Sequence, residues 1–220
     1  MLGESEEKTL HKSDEKYQAY VKILEEELIP AMGCTEPIAI AYAGAVARKT
    51  LGNLPEQLDI KVSGNIIKNV KGVTVPNSGD LKGIDTAALL GIIGGNADMQ
   101  LEVLESVTDE DRVKLRQLLK AKICSCDLVE NTDNLYIDIT VVANEHKAQV
   151  IVSDYHTNII RIVKDDEVLY DKVNKIDNQA DKIEADRNLL NVKDIIEFAD
   201  TVNLEDVKDI LSRQINCNMA

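Results

Sequence analysis

The residue best suited to chemistry in this chain is a cysteine at the predicted start of an apolar helix. Cys34 follows Gly33 and precedes Thr35, Glu36 and Pro37. The positive end of a helix dipole and its free N–H groups stabilise a thiolate, which is the form of cysteine that attacks electrophiles or binds metals. Glu36, in the same turn, can act as an acid or a base. The alternative is a cysteine that only packs at a capped helix start.

Two glycine-bearing turns are candidate contacts for an anionic group of a substrate. They are Ser63-Gly64-Asn65 and Asn77-Ser78-Gly79, where the missing Cβ lets backbone N–H groups approach a carboxylate closely. Thr35 is a further candidate for substrate binding, and Lys68 is either a counter-ion for the carboxylate or a solvated lysine. Neither glycine pattern of nucleotide-binding loops is present. Ordinary turn formation is the alternative for both segments.

One histidine lies in a polar cluster at a predicted strand start. His156 precedes Thr157 and Asn158, so that a titrating imidazole and two hydrogen-bonding side chains are adjacent. Such a group can bind a zwitterion or carry a proton. A structural histidine is the alternative.

The remaining cysteines offer a weaker signal. Cys124 and Cys126 alternate along a predicted strand, so both side chains face one side of the sheet. They form either half of a metal site, for which no third ligand follows at a familiar spacing, or two small core residues. Cys217 is predicted to pack near the end of the last helix.

These residues have to be positioned by a mixture of helices and strands. Helical spacing of apolar residues predicts helices over 17–28, 34–47 and 84–93, one that Thr108 caps, and two after residue 190. Alternating residues predict a strand at 58–62 and five short strands within 123–170, joined by connections of hairpin length. We therefore predict an α+β fold, with apolar small-residue helices packed on a mainly antiparallel sheet and a C-terminal helical segment.

The same patterns predict four segments along the chain. Residues 1–16 are expected to be a solvated tail, and 17–170 an α+β domain that carries the Cys34 motif. Residues 171–190 are expected to be a polar linker or an exposed helix. The final helical segment, 191–220, has no capping glycine and is expected to be cut short.

Composition limits the partners. A formal net charge of −14 and the lack of a basic patch disfavour nucleic acid and anionic membrane surfaces. No apolar run approaches the roughly 18 residues that cross a bilayer. Four cysteines without a secretory signal indicate a reducing compartment, with the cytoplasm as the default. The small-residue helices and aliphatic strands favour a homodimer.

Several motifs, in order, resemble the L-cysteine desulfidase family, which is related to the iron–sulfur L-serine dehydratase alpha chain. They are Gly-Cys-Thr-Glu-Pro at 33–37, the segments 63–69 and 75–79, the pair Gly94-Gly95 and the segment 155–159. Because members of that family are longer, the resemblance implies that this chain is the N-terminal half of such an enzyme.

The resemblance implies a lyase that removes sulfide or water from L-cysteine or L-serine and yields pyruvate and ammonia. Its cofactor would be a [4Fe-4S] cluster with an open iron site. Cys34 would be a cluster ligand or the catalytic base, with Glu36 and His156 as further catalytic residues. The other ligands would come from a missing C-terminal half, so this chain alone is expected to be inactive and to bind no cluster.

Two other hypotheses remain open from the sequence. In one, the chain is a non-catalytic portion that binds an amino acid or assembles with a separate cluster-bearing chain. In the other, Cys34 alone serves as a redox-active thiol, although no resolving Cys-x-x-Cys is present.

Overall fold

The computed structural model describes residues 10–172 and 185–219. Its α-helices are α1 (Glu15–Glu27), α2 (Thr35–Leu51), α3 (Gly64–Val70), α4 (Ile84–Gly94), α5 (Asp109–Ala121), α6 (Val192–Thr201) and α7 (Leu204–Met219). Its strands are β1 (Gln57–Ser63), β2 (Cys124–Val129), β3 (Tyr136–Ala143), β4 (His146–Ser153), β5 (Ile159–Lys164) and β6 (Glu167–Asp171). The predicted α+β fold is confirmed. Contacts divide the described residues into a larger unit, 31–172, and a smaller one, 10–30 with 185–219.

The larger unit contains one six-stranded sheet, with strand order β2-β1-β3-β4-β5-β6. Strands β3 to β6 form the predicted antiparallel meander, and β1 is antiparallel to β3. Strand β2 differs, because it is parallel to β1 with Leu58 opposite Cys124 and Ile60 opposite Cys126. The chain reaches β2 only after α3, α4 and α5, a connection long enough for the crossover that parallel strands require.

Helices α2 and α4 form the centre of the core. Nearly every residue of α4 is buried, and α2 is buried along most of its length, as the runs of small apolar residues predict. The inner face of the sheet packs against these helices. Alternate residues of β1, β3 and β4 on that face are fully buried. The first turn of α2, which follows Cys34, is therefore anchored in the buried core of the unit.

The other face of the sheet carries a buried carboxylate. Asp138 is only 7% exposed, and both of its oxygens accept hydrogen bonds from Gln149 Nε2 at 2.9 Å. Burial raises the pKa of Asp138, while the Gln149 hydrogen bonds and the charges of Lys61 and Lys147 oppose this rise. The folded protein therefore holds the Asp138 proton to a higher pH than the unfolded chain does.

Replacing Asp138 with asparagine is expected to stabilise the protein at pH 7. Because the folded-state pKa is raised, the folded protein holds more protons between the unfolded and folded pKa values, and stability falls as pH rises through that window. The neutral amide would remove the cost of a buried charge, a gain on the order of 1 kcal/mol. Urea denaturation at pH 7 and at pH 3.5 measures it, and an equal gain at both pH values would contradict this account.

The smaller unit packs around three aromatic rings. Tyr17 and Tyr20 of α1 each meet Phe198 of α6 edge to face, with ring centroids 5.3 Å apart. The described part of the predicted tail is held in this unit, since Leu10 N–H donates to Glu197 and Lys12 pairs with Asp206.

The predicted segment boundaries stay a prediction, and most of the predicted 171–190 linker lies outside the described residues. Within the part of the chain that is described, no helix combines the length and hydropathy needed to cross a membrane.

Candidate functional site

The start of α2 has the geometry that the sequence predicts. Cys34 is the N-cap residue, with extended backbone angles, and Pro37 lies in the first turn, where the lack of an N–H group costs nothing. Gly33 adopts φ +118°, and a Cβ placed on it would lie 3.6 Å from Pro76 Cγ. The Cys34 loop and the start of the 75–79 segment are therefore neighbours.

The side chains of three residues contact the carboxylate of Glu36. The Cys34 thiol donates to Glu36 Oε2 at 3.2 Å, and the Thr35 hydroxyl lies 3.4 Å from the same oxygen. Asn69 Nδ2 donates to Oε1 at 3.2 Å. Asn69 belongs to α3 and was missed as a site residue from the sequence. Its membership in the 63–69 motif was the only available signal.

The protonation of this group differs from the sequence prediction. Partial burial raises the pKa of the Cys34 thiol, and the hydrogen bond to Glu36 and its negative charge raise it further. The Glu36 backbone N–H lowers that pKa, as expected at a helix start, but it is outweighed. The predicted thiolate is thus wrong for the resting site, because the helix end competes with a carboxylate in contact with the sulfur.

Glu36 is the charged member of the group. Burial alone would raise its pKa, but hydrogen bonds from Cys34, its own backbone N–H and Asn69 bring that pKa below its ordinary value. His156 interacts electrostatically with Glu36. Burial lowers the pKa of His156, and the Glu36 charge opposes this only in part. At neutral pH the site therefore holds a thiol, a carboxylate and a neutral imidazole.

The residues that follow His156 serve the turn between β4 and β5. Asn158 Nδ2 donates to the Ser153 carbonyl at 2.8 Å, and its side-chain oxygen accepts from Lys172 at 3.0 Å. The Thr157 carbonyl accepts from the backbone N–H of Ile159. The Glu36 charge acts on the His156 imidazole, whereas the contacts recorded for Thr157 and Asn158 belong to the turn.

The segment Ser63-Gly64-Asn65 is not a loop. Ser63 ends β1 and caps α3, accepting from Ile66 N–H at 3.4 Å and donating to the Asn134 carbonyl at 2.6 Å. These three residues and 128–134 line a cavity of about 310 Å³. Its lining includes Glu130 and Asp133 but neither lysine nor arginine, an electrostatic setting that disfavours an anion. Lys68 is exposed on α3.

The Asn77-Ser78-Gly79 segment forms a tight turn. Asn77 Nδ2 donates to the Leu104 carbonyl at 2.9 Å, and the buried Ser78 hydroxyl donates to the Leu81 carbonyl at 2.9 Å. Gly79 has φ +70°. The Asn77 and Ser78 side chains therefore hold the turn in place, while its glycine faces α5.

The other cysteines do not complete a metal site in the described residues. Burial raises the pKa of Cys124 to about 12, and Cys126 is exposed on the same edge strand. Cys217 is exposed, so its predicted packing role is wrong. In the portion that the structure describes, no three His, Cys, Asp or Glu side chains are grouped to hold a metal ion. The described residues therefore do not supply a complete ligand set for a [4Fe-4S] cluster.

Comparison with known proteins gives a consistent set of relatives. No protein-family model matches the chain. A protein of Treponema denticola is 47% identical over 205 residues, covering 93% of this chain and 47% of the relative. One of Desulfitobacterium hafniense is 42% identical over 211 residues, covering 96% and 49%, and one of Lachnoclostridium phytofermentans is 43% identical over 202 residues, covering 92% and 48%.

The chain is similar to UPF0597 proteins. That name is shared by all three relatives, and the chain spans about half of their length. No lyase, dehydratase or desulfidase appears among these names.

The family inferred from the Gly-Cys-Thr-Glu-Pro motif is therefore corrected. The L-cysteine desulfidase and L-serine dehydratase assignment is wrong, because relatives at 35–47% identity are UPF0597 proteins by name. The iron–sulfur lyase function is corrected with it, as is the description of the chain as a truncated half of such a lyase.

Proposed function

We propose that the group of Cys34, Glu36, Asn69 and His156 is a proton-transfer site for a small polar molecule. The observation that carries this proposal is the 3.2 Å contact between the Cys34 thiol and a carboxylate that Asn69 holds from a separate helix. A thiol that donates to a charged carboxylate at the surface is a proton donor paired with its own acceptor.

Each residue has a distinct part in the proposed site. Glu36, kept ionised by three hydrogen bonds, is the base that takes a proton from the ligand, and the Cys34 thiol orients this carboxylate and can return a proton to the ligand. Asn69 is a positioning residue, because it fixes the carboxylate without reaching beyond it. His156, uncharged at neutral pH because burial lowers its pKa, supplies a second group able to take up a proton.

A small amino acid remains the proposed ligand class, since its ammonium group can donate a charge-assisted hydrogen bond to the Glu36 carboxylate. A reducing compartment such as the cytoplasm suits the proposal, because all four cysteines are free thiols. A homodimer and the absence of nucleic-acid and membrane partners stay predictions, as does the expectation that this chain alone binds no cluster.

Protection of Cys34 from alkylation tests the proposal. The protein is treated with iodoacetamide at pH 9 with each of a panel of small amino acids and hydroxy acids, and peptide mass spectrometry follows each cysteine. We expect at least one compound to slow Cys34 modification about threefold or more. It should leave Cys217, which is exposed on the smaller unit, unchanged. The protecting compound is then incubated in D₂O and should acquire deuterium at carbon.

The Glu36→Gln variant is the matched control for proton transfer, because it keeps the size of the side chain and removes its charge. Deuterium uptake should fall at least about tenfold in this variant. The proposal fails if no compound protects Cys34 selectively, or if Glu36→Gln exchanges deuterium as fast as the parent protein.

A further inference from the structure

Two arginines of α5 converge on the glycine of the 77–79 turn. Arg112 and Arg116 are four residues apart and therefore lie on the same face of the helix. A Cβ placed on Gly79 would lie 3.2 Å from Arg116 Nη2 and 3.4 Å from Arg112 Cδ. The missing side chain at Gly79, whose φ is +70°, lets both arginine side chains lie against the backbone of the turn.

One guanidinium nitrogen in this group is buried without a hydrogen bond. Arg112 Nη1 has no hydrogen-bond partner within the described chain. Its closest recorded carboxylate oxygen is Asp109 Oδ1 at 3.5 Å, on a side chain that is 99% exposed, so water screens that pair. Asp111, on the same turn, is engaged with Thr108 in the capping box at the start of α5. A buried donor of this kind is costly unless something accepts from it.

We propose that Arg112, Arg116 and the Gly79 turn form a binding site for an oxyanion, either a carboxylate or a phosphate group. Two guanidiniums on one face offer several donors in a planar arrangement, and this suits groups with two or more equivalent oxygens. The site goes beyond the proposed function, because its residues are separate from the Cys34 group. The two are connected through one loop, since Pro76 contacts Gly33 and Gly79 contacts the arginines.

Thermal unfolding in the presence of simple anions tests this site. The melting temperature is measured by circular dichroism with inorganic phosphate or acetate up to tens of millimolar, with chloride balancing the ionic strength. A ligand that binds only the folded state raises the melting temperature with its concentration. We expect a rise of a few degrees with at least one of the two anions, and the larger rise identifies a phosphate-like or a carboxylate-like group.

Three variants locate the effect. Arg116→Gln, at an exposed position, should remove most of the rise, and Arg112→Gln should remove it as well. Lys114→Gln on the same helix removes the same charge from another exposed position and should leave the rise unchanged. If Arg112→Gln fails to fold, Arg112→Lys keeps the charge without the planar fork and should weaken anion binding about threefold or more.

Two outcomes would overturn the proposal. One is an equal rise in the parent protein, Arg116→Gln and Lys114→Gln, which would indicate a general salt effect. The other is no rise with either anion. A Cys34→Ser variant separates this site from the proposed function, since it should keep the full anion response while losing the thiol chemistry.

Discussion

Replacing Gly91 with alanine is expected to lower the free energy of unfolding by about 3 kcal/mol, and so to remove a large part of the stability of the sheet-bearing unit. Gly91 lies in α4 where that helix crosses α2. A Cβ placed on it would lie 2.0 Å from the Ala41 carbonyl oxygen and 2.7 Å from Ala41 Cα. Both are backbone atoms of α2, so no side-chain rotation can relieve the contact.

Two opposing effects decide whether Gly91→Ala stabilises or destabilises the protein. Alanine is a better helix former than glycine by about 1 kcal/mol, which favours the variant. Overpacking of a rigid core costs about 1–3 kcal/mol, and more where the backbone itself must move. Here the two helices would have to separate along a crossing that also includes Gly44, whose added Cβ would lie 2.7 Å from the Ala88 carbonyl oxygen. The packing cost therefore exceeds the gain in helix propensity.

Guanidinium denaturation followed by far-ultraviolet circular dichroism measures the change, since the protein has no tryptophan for fluorescence. Gly72→Ala is the matched control. An added Cβ there meets nothing within 4 Å, so its stability should stay within about 0.5 kcal/mol of the parent protein. A Gly91→Ala protein as stable as Gly72→Ala would show that α2 and α4 are not in backbone contact.

The helix starts and the fold class were predictable because they depend on local chemistry. Pro37 after Cys34 and the acidic turn after Thr108 mark the starts of α2 and α5, and both are present in the structure. The parallel pairing of β2 was not predictable, because an alternating pattern carries no information on strand direction. Helix α3 was missed, since a seven-residue helix rich in asparagine has low intrinsic propensity and depends on the Ser63 cap and burial of Ile66 and Val70.

The candidate site was predictable in part. Cys34 and Glu36 are near each other in the sequence, so their contact followed from the helix start. Asn69 comes from an element that the sequence did not reveal, and only the fold brings it to Glu36. The pKa shift of the Cys34 thiol was predicted in the wrong direction, because burial and the neighbouring Glu36 carboxylate outweigh the effect of the helix start. The shared motif described the local geometry of a helix start, and that geometry does not specify one reaction.

Replacing Glu36 with glutamine is expected to make Cys34 more reactive at neutral pH. The variant removes the negative charge next to the sulfur and leaves burial unchanged, so the raised pKa of the thiol should fall toward its ordinary value. Each unit of decrease raises the thiolate fraction about tenfold below the pKa. The intrinsic nucleophilicity of the thiolate falls at the same time, with a Brønsted coefficient of about 0.4–0.5. The net gain in alkylation rate is therefore about threefold for each unit.

The full pH profile of Cys34 alkylation distinguishes this mechanism from simple opening of the site. The variant should react faster than the parent protein near pH 7, and slower above the thiol pKa of both proteins, where each is fully ionised and the more basic thiolate reacts faster. Glu145→Gln, in the exposed turn between β3 and β4, removes the same charge away from the site and should leave the profile unchanged. A variant that reacts faster at every pH would indicate greater access to Cys34, and the electrostatic role of Glu36 would then be wrong.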